Sequence, residues 1–419
     1  MPRNSRKNRE RKQTIVNKNI LKKLLFIFLA VILLIIFLFI YKLIQQNIKK
    51  NNISLYTENN VKQIFTQEDY NSIEGDKYTQ EETKINIIAL GNILYNHELY
   101  EGLYEDNSGT YLFADFLYNI IQSIEPSDYK IANLGVNFTA DYKIADKKTN
   151  SPRELIFALK NIGINFLNTA NQNSNDEGTE GIIKTLETLD EQKLIHTGTA
   201  RAEIEKQIPT IENIKGLNIA FLSYTENLNK ELNKKNSYMV NMLNKETIVE
   251  DIKKAKEKGA EFIIVNLNWG NIKTNEVTKK QKEISKYIAD NGADLILGNN
   301  NNGIIQEVEI YKNNEEKNVA IAYSIGNFIG KNNSKIEIAL DIQLAKDLEN
   351  KTRITKVNFN PMYLLDKGKE AEERFLLVDV NKEIERYEQG FPKNINDDEY
   401  KKIIDELEKT EKILNGGIK

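Results

Sequence analysis

Short apolar runs that end in small polar residues recur from Lys84 onward, and this pattern constrains the fold more than any other feature of the sequence. Stretches of helical length with one apolar face lie between most of the runs, for example at 178–192 and 279–291. Buried strands that alternate with helices are typical of an α/β domain with mainly inner strands. The runs are KINIIALGN (84–92), DYKIANLG (128–135), GINFLNTAN (163–171), LNIAFLSYT (217–225), AEFIIVNLNWG (260–270), ADLILGNN (293–300) and NVAIAYSIGN (318–327).

The carboxyl ends of these predicted strands carry amides and other small polar residues. They fall at Asn92, 133–135, 171–176, 268–270, 299–302 and Asn327. In α/β sheets, sites form where loops leave the carboxyl ends of strands, so the pattern favours a site built from several loops. Asparagine also favours turns whatever its function, and the pattern alone leaves that simpler interpretation open.

The 18 residues from Leu24 to Tyr41 contain no charge and no polar amide, and such a helix nearly spans the hydrocarbon core of a bilayer. Nine basic residues precede the segment, so the positive-inside rule places the N-terminus in the cytoplasm and the main domain outside the cell. We therefore predict a basic cytoplasmic tail (1–23), a single-pass anchor in the cell membrane (24–44) and a polar tether (45–83). A cleaved signal peptide is the alternative, but its apolar region is shorter and is followed by small residues, whereas KLIQQNIKK follows here.

Composition excludes several kinds of site and partner. The chain has no cysteine and two histidines, which rules out disulfides, thiolate metal sites and any site with three imidazoles from one chain. Residues 51–419 carry 46 basic and 60 acidic residues, whereas phosphate contacts need clustered Lys and Arg, so we expect no nucleic acid partner. We also expect no nucleotide partner, because the sequence has no glycine-rich phosphate loop of the Walker or dinucleotide type.

The loop motifs resemble, in order and spacing, those of the CapA family of poly-γ-glutamate capsule synthesis proteins. The family's opening Gly-Asp is Gly91-Asn92 here, and its Asn-Leu-Glu is Asn133-Leu134-Gly135. Its A-N-N-H-S-x-D-x-G motif is ANQNSNDEG at 170–178, and its H-W-G motif is NWG at 268–270. Its G-H-H-P-H motif, followed by Gln, is GNNNN at 298–302 followed by Gln306, while S-x-G-N-F is intact at 324–328.

The resemblance implies an α/β sandwich of the calcineurin-like metallophosphoesterase type, in which the Asp, Glu, Asn and His of these motifs are the expected ligands of two divalent metal ions. In this chain the Asp position is Asn92, the Glu position is Gly135 and every His position is Asn, while Asn171 is kept. A neutral amide oxygen is a weak metal ligand, and two neighbouring divalent ions need carboxylates to offset their repulsion. We therefore predict no metal and no other cofactor.

Instead, we predict a ligand-binding cleft without catalytic residues. Its predicted lining is Asn92, Asn133, Asn171, Asn173, Asp176, Asn268, Trp269, Asn300, Asn302 and Asn327. The cleft belongs to a CapA-like α/β domain at 84–335. Residues 336–419 are predicted to extend the same domain with strands and a charged helix at 397–414.

The resemblance implies a membrane-anchored, outward-facing protein that assists the synthesis, export or attachment of a cell-surface polymer of the poly-γ-glutamate type, without metal-dependent catalysis. Its expected partners are the membrane, through 24–41, and the polymer or its synthesis machinery. One alternative is a hydrolase or transferase with a reduced, mononuclear metal site of Asn171, Asp176, Glu177 and His97, although helix capping would also explain Asp176. A scaffold that acts through the anchor and the tether is another alternative.

Overall fold

The computed structural model describes residues 62–65, 83–139, 149–270, 272–330, 336–371 and 373–416. The predicted tail, the predicted anchor and most of the predicted tether lie outside these residues. Within the described ranges, no helix is both long enough and apolar enough to cross a membrane.

The described residues form short helices and strands that alternate along much of the chain. The helices are α1 (His97–Leu103), α2 (Phe113–Tyr118), α3 (Arg153–Asn161), α4 (Gly178–Glu191), α5 (Glu203–Lys206), α6 (Lys245–Glu257), α7 (Lys279–Asp290), α8 (Val380–Glu388) and α9 (Asp397–Leu414). The strands are β1 (Lys62–Phe65), β2 (Thr83–Ile93), β3 (Tyr104–Glu105), β4 (Thr110–Tyr111), β5 (Tyr129–Leu134), β6 (Phe166–Asn168), β7 (Ile195–Thr197), β8 (Thr210–Ile214), β9 (Leu217–Thr225), β10 (Phe262–Asn268), β11 (Leu295–Asn299), β12 (Val308–Lys312), β13 (Asn318–Ala322), β14 (Asn327–Ile329), β15 (Ile336–Lys346), β16 (Thr352–Asp366) and β17 (Phe375–Asp379).

Among the described residues, the first sheet has nine strands, in the order β1-β16-β15-β2-β5-β6-β7, with β14 paired to β2 and β17 paired to β16. Strands β2, β5, β6 and β7 are parallel, so their carboxyl ends lie at one edge of the sheet. The register there aligns asparagines: Asn327 lies beside Asn92, Asn92 beside Asn133, and Asn133 beside Asn168.

The second sheet has six strands in the described part of the chain, in the order β12-β13-β11-β10-β9-β8. Its four central strands, β9, β10, β11 and β13, are parallel. Asn268 at the end of β10 is in register with Asn299 at the end of β11. The second sheet therefore also carries amides at its carboxyl edge.

The two sheets share one apolar core, which includes Ile131 and Phe166 of the first sheet and Phe221, Ile264 and Leu297 of the second. Helices cover the other face of each sheet: α1, α2 and α3 pack on the first, and α6 and α7 pack on the second. The predicted α/β fold is confirmed by these mixed sheets and their covering helices.

The C-terminal residues add strands to the first sheet. Strand β15 pairs with β2 and with β16, and β16 also pairs with β1, which lies inside the predicted tether. Helix α9 occupies the predicted range of 397–414, and it begins with a capping box in which the side chains of Asn396 and Glu399 each accept a backbone N–H of the other.

Candidate functional site

The apolar core between the sheets ends in a layer of amides at the carboxyl ends of the strands. Side chains alternate along a strand, so the positions two residues beyond the inward-facing apolar residues also face inward. Asn133 lies two residues beyond Ile131, Asn168 two beyond Phe166, and Asn299 two beyond Leu297. The sequence pattern that ends each strand in an amide therefore becomes a polar layer between the sheets.

Within this layer, each asparagine of the first sheet hydrogen-bonds to the asparagine of the neighbouring strand. The Nδ2 atom of Asn168 donates to Oδ1 of Asn133 over 2.8 Å, and Nδ2 of Asn133 donates to Oδ1 of Asn92. Asn92 in turn donates to Oδ1 of Asn327 at 3.1 Å and to the carbonyl oxygen of Asn300 at 2.8 Å. We call Asn168, Asn133, Asn92 and Asn327 the amide relay, and all four side chains are at most 2% exposed.

Asn300 holds the loop that closes over the relay. Its Nδ2 donates to the carbonyl of Ile304 at 2.7 Å and to the hydroxyl of Ser324 at 2.9 Å, and its Oδ1 accepts the backbone N–H groups of Asn302 and Ile304, both at 3.1 Å. Gly303 permits this turn, because its φ is +62° and an added Cβ would lie 2.2 Å from the side chain of Asn327. The loop and the relay are therefore packed in direct contact.

Asn171 and Asn173 stabilise the neighbouring turn rather than joining the relay. Asn171 donates to the carbonyl of Leu134 at 2.6 Å and accepts the N–H of Asn173 at 2.9 Å. Asn173 donates to the carbonyl of Gly135 at 2.7 Å and accepts from Nδ2 of Asn229 at 2.9 Å. These bonds tie the turn after β6 to the end of β5 and to a loop that follows β9.

The other predicted residues of the cleft lie on the second sheet, and one of them faces away from the site. Oδ1 of Asn268 accepts the N–H of Gly270 at 3.2 Å, and Nδ2 of Asn302 donates to the carbonyl of Ile272. Trp269, in contrast, is packed in the cluster between the second sheet and its helices, and its Nε1 donates to the carbonyl of Tyr323 at 2.8 Å. Trp269 and Asn268 differ in this way because successive residues point to opposite faces of an extended chain.

The residues of the alternative, mononuclear metal site are engaged elsewhere. The carboxylate of Asp176 accepts from Asn229 at 3.1 Å and from Thr149 at 3.4 Å, and burial raises the pKa of Asp176 although these hydrogen bonds oppose the shift. His97 is exposed on α1, where its Nε2 lies 3.2 Å from Glu101. Nor does Asp176 cap α4, because the N-cap residue of that helix is Glu177 and no side chain caps it.

The donor set at the sheet junction does not fit a pair of divalent metal ions. The Oδ1 atoms of Asn92 and Asn133 already accept neighbouring amides, and neither position provides an anion. Across the described residues, no three Asp, Glu, His or Cys side chains form a group that could hold a metal ion. Neutral oxygens alone would leave the charge of two such ions uncompensated.

The motifs did not identify two residues that contribute to these networks. Asn168 donates the first hydrogen bond of the relay, and the signal for it was its inward position two residues beyond Phe166. Asn229 donates to both Asn173 and Asp176 from a loop of the second sheet. No local signal pointed to Asn229, because its role depends on how the two sheets meet.

Fold and site together define a two-sheet α/β protein with a layer of hydrogen-bonded amides at the carboxyl ends of its strands. The family described as "Bacterial capsule synthesis protein PGA_cap" matches residues 86–332, which is more than half of the 419 residues. The chain belongs to this family, as the motifs predicted.

Two curated relatives are similar to the chain over part of their length. The PGA biosynthesis protein CapA of Bacillus subtilis (strain 168) is 29% identical over 183 residues, which is 41% of this chain and 48% of that protein. The capsule biosynthesis protein CapA of Bacillus anthracis is 26% identical over 223 residues, which is 50% of this chain and 53% of that protein. The chain therefore spans about half the length of these relatives.

Among solved structures, the 5'-nucleotidase precursor from Thermus thermophilus has a TM-score of 0.41 at 9% identity, covering 78% of this chain and 58% of that one. The calcineurin-like phosphoesterase YfkN from Bacillus subtilis has a TM-score of 0.40 at 13% identity, covering 79% and 98%. These scores are low, and the family assignment rests on the sequence match.

Proposed function

We propose that the protein assists the synthesis, export or attachment of a poly-γ-glutamate type polymer at the cell surface without catalysing a metal-dependent reaction. Membership of the capsule synthesis family supports the link to such a polymer. The amide relay is the observation that carries the non-catalytic part of the proposal, because Asn92, at the Asp position of the motif, is hydrogen-bonded to neutral neighbours on both sides and supplies no anion.

We further propose that residues 24–44 anchor the protein in the cell membrane with the main domain outside. The support is the uncharged segment from Leu24 to Tyr41 and the basic residues that precede it. An outward-facing domain would meet a polymer at the place where it leaves the cell.

The test of the non-catalytic proposal measures metal in the full-length chain, purified in detergent, incubated with Mn²⁺, Zn²⁺ and Mg²⁺ and then desalted. We expect less than about a tenth of an equivalent of any of these ions, because their ligands have been replaced. Retention of about one equivalent or more would contradict the proposal, and phosphoesterase and amide-hydrolysis assays would follow.

The cellular test deletes the gene in the bacterium that encodes it and measures surface polymer. We expect a loss that the wild-type gene restores and a gene lacking 24–44 does not. A matched control replaces 24–44 with an unrelated membrane-spanning segment and should restore the polymer. Unchanged surface polymer in the deletion strain would refute the proposed role.

A further inference from the structure

A cavity of about 230 Å³ shares no lining residue with the amide relay and lies between α8 on one side and, on the other, the end of α2 with the turn that follows it. The side chains that give it its chemistry are Tyr118, Gln122, Asp379, Lys382, Arg386 and Lys393. Its cationic residues come from the C-terminal part of the chain, outside the 86–332 range that the family match covers.

The acids at the cavity are fixed by bonds within the protein. Asp379 is the N-cap of α8: its carboxylate accepts the N–H of Lys382 at 3.0 Å and the hydroxyl of Ser123 at 2.6 Å. Glu383, whose side chain is 3% exposed, accepts from Arg386 at 2.8 Å and from Nδ2 of Asn394 at 2.9 Å. Both carboxylates are therefore committed to holding the helix and the chain that follows it.

The cations exceed the acids and reach the surface. Lys382 and Arg386 are four residues apart, so they lie on one face of α8, and their side chains are 25% and 44% exposed. Lys393 is exposed and forms no ion pair with any residue that the structure describes. Lys382 Nζ lies 3.6 Å from Asp379 and donates to Oε1 of Gln122 at 3.2 Å, and Arg386 pairs with Glu383, so Lys393 supplies the positive charge that these two carboxylates do not balance.

Exposed aromatic side chains lie beside these cations. Tyr118 lines the cavity and is 71% exposed, and Phe391 is 76% exposed and held next to Arg386 by a 2.9 Å bond between its N–H and the Arg386 carbonyl. They are the two most exposed large apolar side chains in the described ranges. Aromatic residues and arginine are both enriched in the binding surfaces of proteins.

We propose that this cavity binds a segment of a γ-linked glutamate chain, with Lys382, Arg386 and Lys393 pairing with successive carboxylates. The proposal rests on the proposed function and names the ligand that the domain would hold. A γ-linked chain carries one carboxylate on each repeat and methylene groups between them, so it matches both the cations and the ring of Tyr118. This local positive charge would let a domain with an overall negative charge bind a polyanion.

The experiment measures binding of a fluorescently labelled γ-linked glutamate oligomer to the full-length chain in detergent by fluorescence anisotropy. We expect K382Q/K393Q to bind roughly tenfold more weakly, since each exposed ion pair contributes a modest free energy. K382Q/R386Q/K393Q should bind more weakly still. The double variant leaves Arg386 in place on the buried Glu383 carboxylate, so it does not depend on how well the triple variant folds.

The matched control is K253Q/K279Q, which removes the same charge from lysines that are 79% and 90% exposed on α6 and α7. Equal weakening in this control would overturn the proposal, because bulk charge would then explain the binding. Unchanged binding by the double variant would also overturn it, as would equally strong competition by a phosphate polymer. A failure here leaves the polymer phenotype of the deletion strain intact, so it is distinguishable from failure of the proposed function.

Discussion

Asn92 uses both ends of its amide inside the protein. Its Oδ1 accepts from Asn133, while its Nδ2 donates to Oδ1 of Asn327 at 3.1 Å and to the carbonyl of Asn300 at 2.8 Å. A carboxylate at the same position has acceptors but no donor, so it could form the first of these bonds and not the others. The relay therefore requires an amide where relatives of the resembled family are expected to have Asp.

We predict that Asn92→Asp lowers the free energy of unfolding by about 2–3 kcal/mol at neutral pH, because a buried charge would face two oxygens that have lost their donor. The loss should shrink as the pH falls, since burial favours the protonated acid, which can donate one hydrogen bond. Denaturant titration of the full-length chain, followed by the fluorescence of Trp269, the single tryptophan, measures this directly.

The control is Asn314→Asp, at an exposed turn between β12 and β13, which should leave stability within about 0.5 kcal/mol of the wild type. If Asn92→Asp had the same free energy of unfolding as the wild type at neutral pH, the relay would not be a connected network.

At the scale of residues, the order of the motifs predicted which loops lie together, but it did not predict the hydrogen bonds between their side chains. Four of the predicted amides meet where the carboxyl ends of the two sheets converge: Asn92, Asn133 and Asn327 on the first sheet, and Asn300 just after β11 of the second. Which amide donates to which depends on strand register, and that is fixed by pairing between distant segments. The face on which Trp269 packs has the same origin, because it follows from the inward position of its neighbour Asn268.

At the scale of elements, β14 and β15 meet at Glu337. This side chain is 1% exposed and accepts the backbone N–H of Asn327, while its Oε2 has no partner among the described residues. Burial raises the pKa of Glu337 well above its ordinary value of 4.5. The acid is therefore protonated in the folded protein under conditions where it is ionised in the unfolded chain.

We predict that Glu337→Gln removes a pH-dependent part of the stability. Because the folded state holds the proton more tightly, the wild type loses stability as the pH rises above 4.5 toward the raised pKa, and Gln does not titrate. Unfolding free energies measured from about pH 5 to about pH 8 should therefore fall more steeply for the wild type than for the variant. Glu315→Gln, at an exposed turn, should keep the wild-type slope. Parallel profiles for the wild type and Glu337→Gln would contradict the assignment.

The sequence predicted strands best where an apolar run ends in a polar residue. The run at 217–225 has the bounds of β9, whereas the run at 318–327 spans β13 and the start of β14. Gly326 separates those two strands with a φ of +78°, a conformation that an apolar pattern cannot reveal. The long strands β15 and β16 were less evident, because their partners are distant in sequence.

At the scale of the whole molecule, the C-terminal part completes the first sheet. Strand β15 pairs with β2 along eight residues of register, from Lys346 beside Thr83 to Ala339 beside Leu90. Ile338, Leu340 and Ile342 of β15 belong to the core between the sheets. The family match ends at residue 332, before this strand begins.

We predict that a chain ending at residue 335 does not fold, because β2 would lose a neighbour and the core would lose the apolar face of β15. Circular dichroism on heating and limited proteolysis measure this. A chain ending at residue 416 is the control and should unfold cooperatively like the full chain. Cooperative unfolding of the shorter chain would show that the matched segment folds on its own.

The amide relay also bears on how this molecule is assembled. A metal centre is finished only when ions reach it from outside, so its completion depends on their supply in the surroundings. In the amide relay, each donor and acceptor belongs to the polypeptide itself, and the hydrogen bonds form when β2, β5, β6 and β14 come together. The relay is therefore formed by folding itself, since no donor or acceptor in it has to arrive from outside the polypeptide.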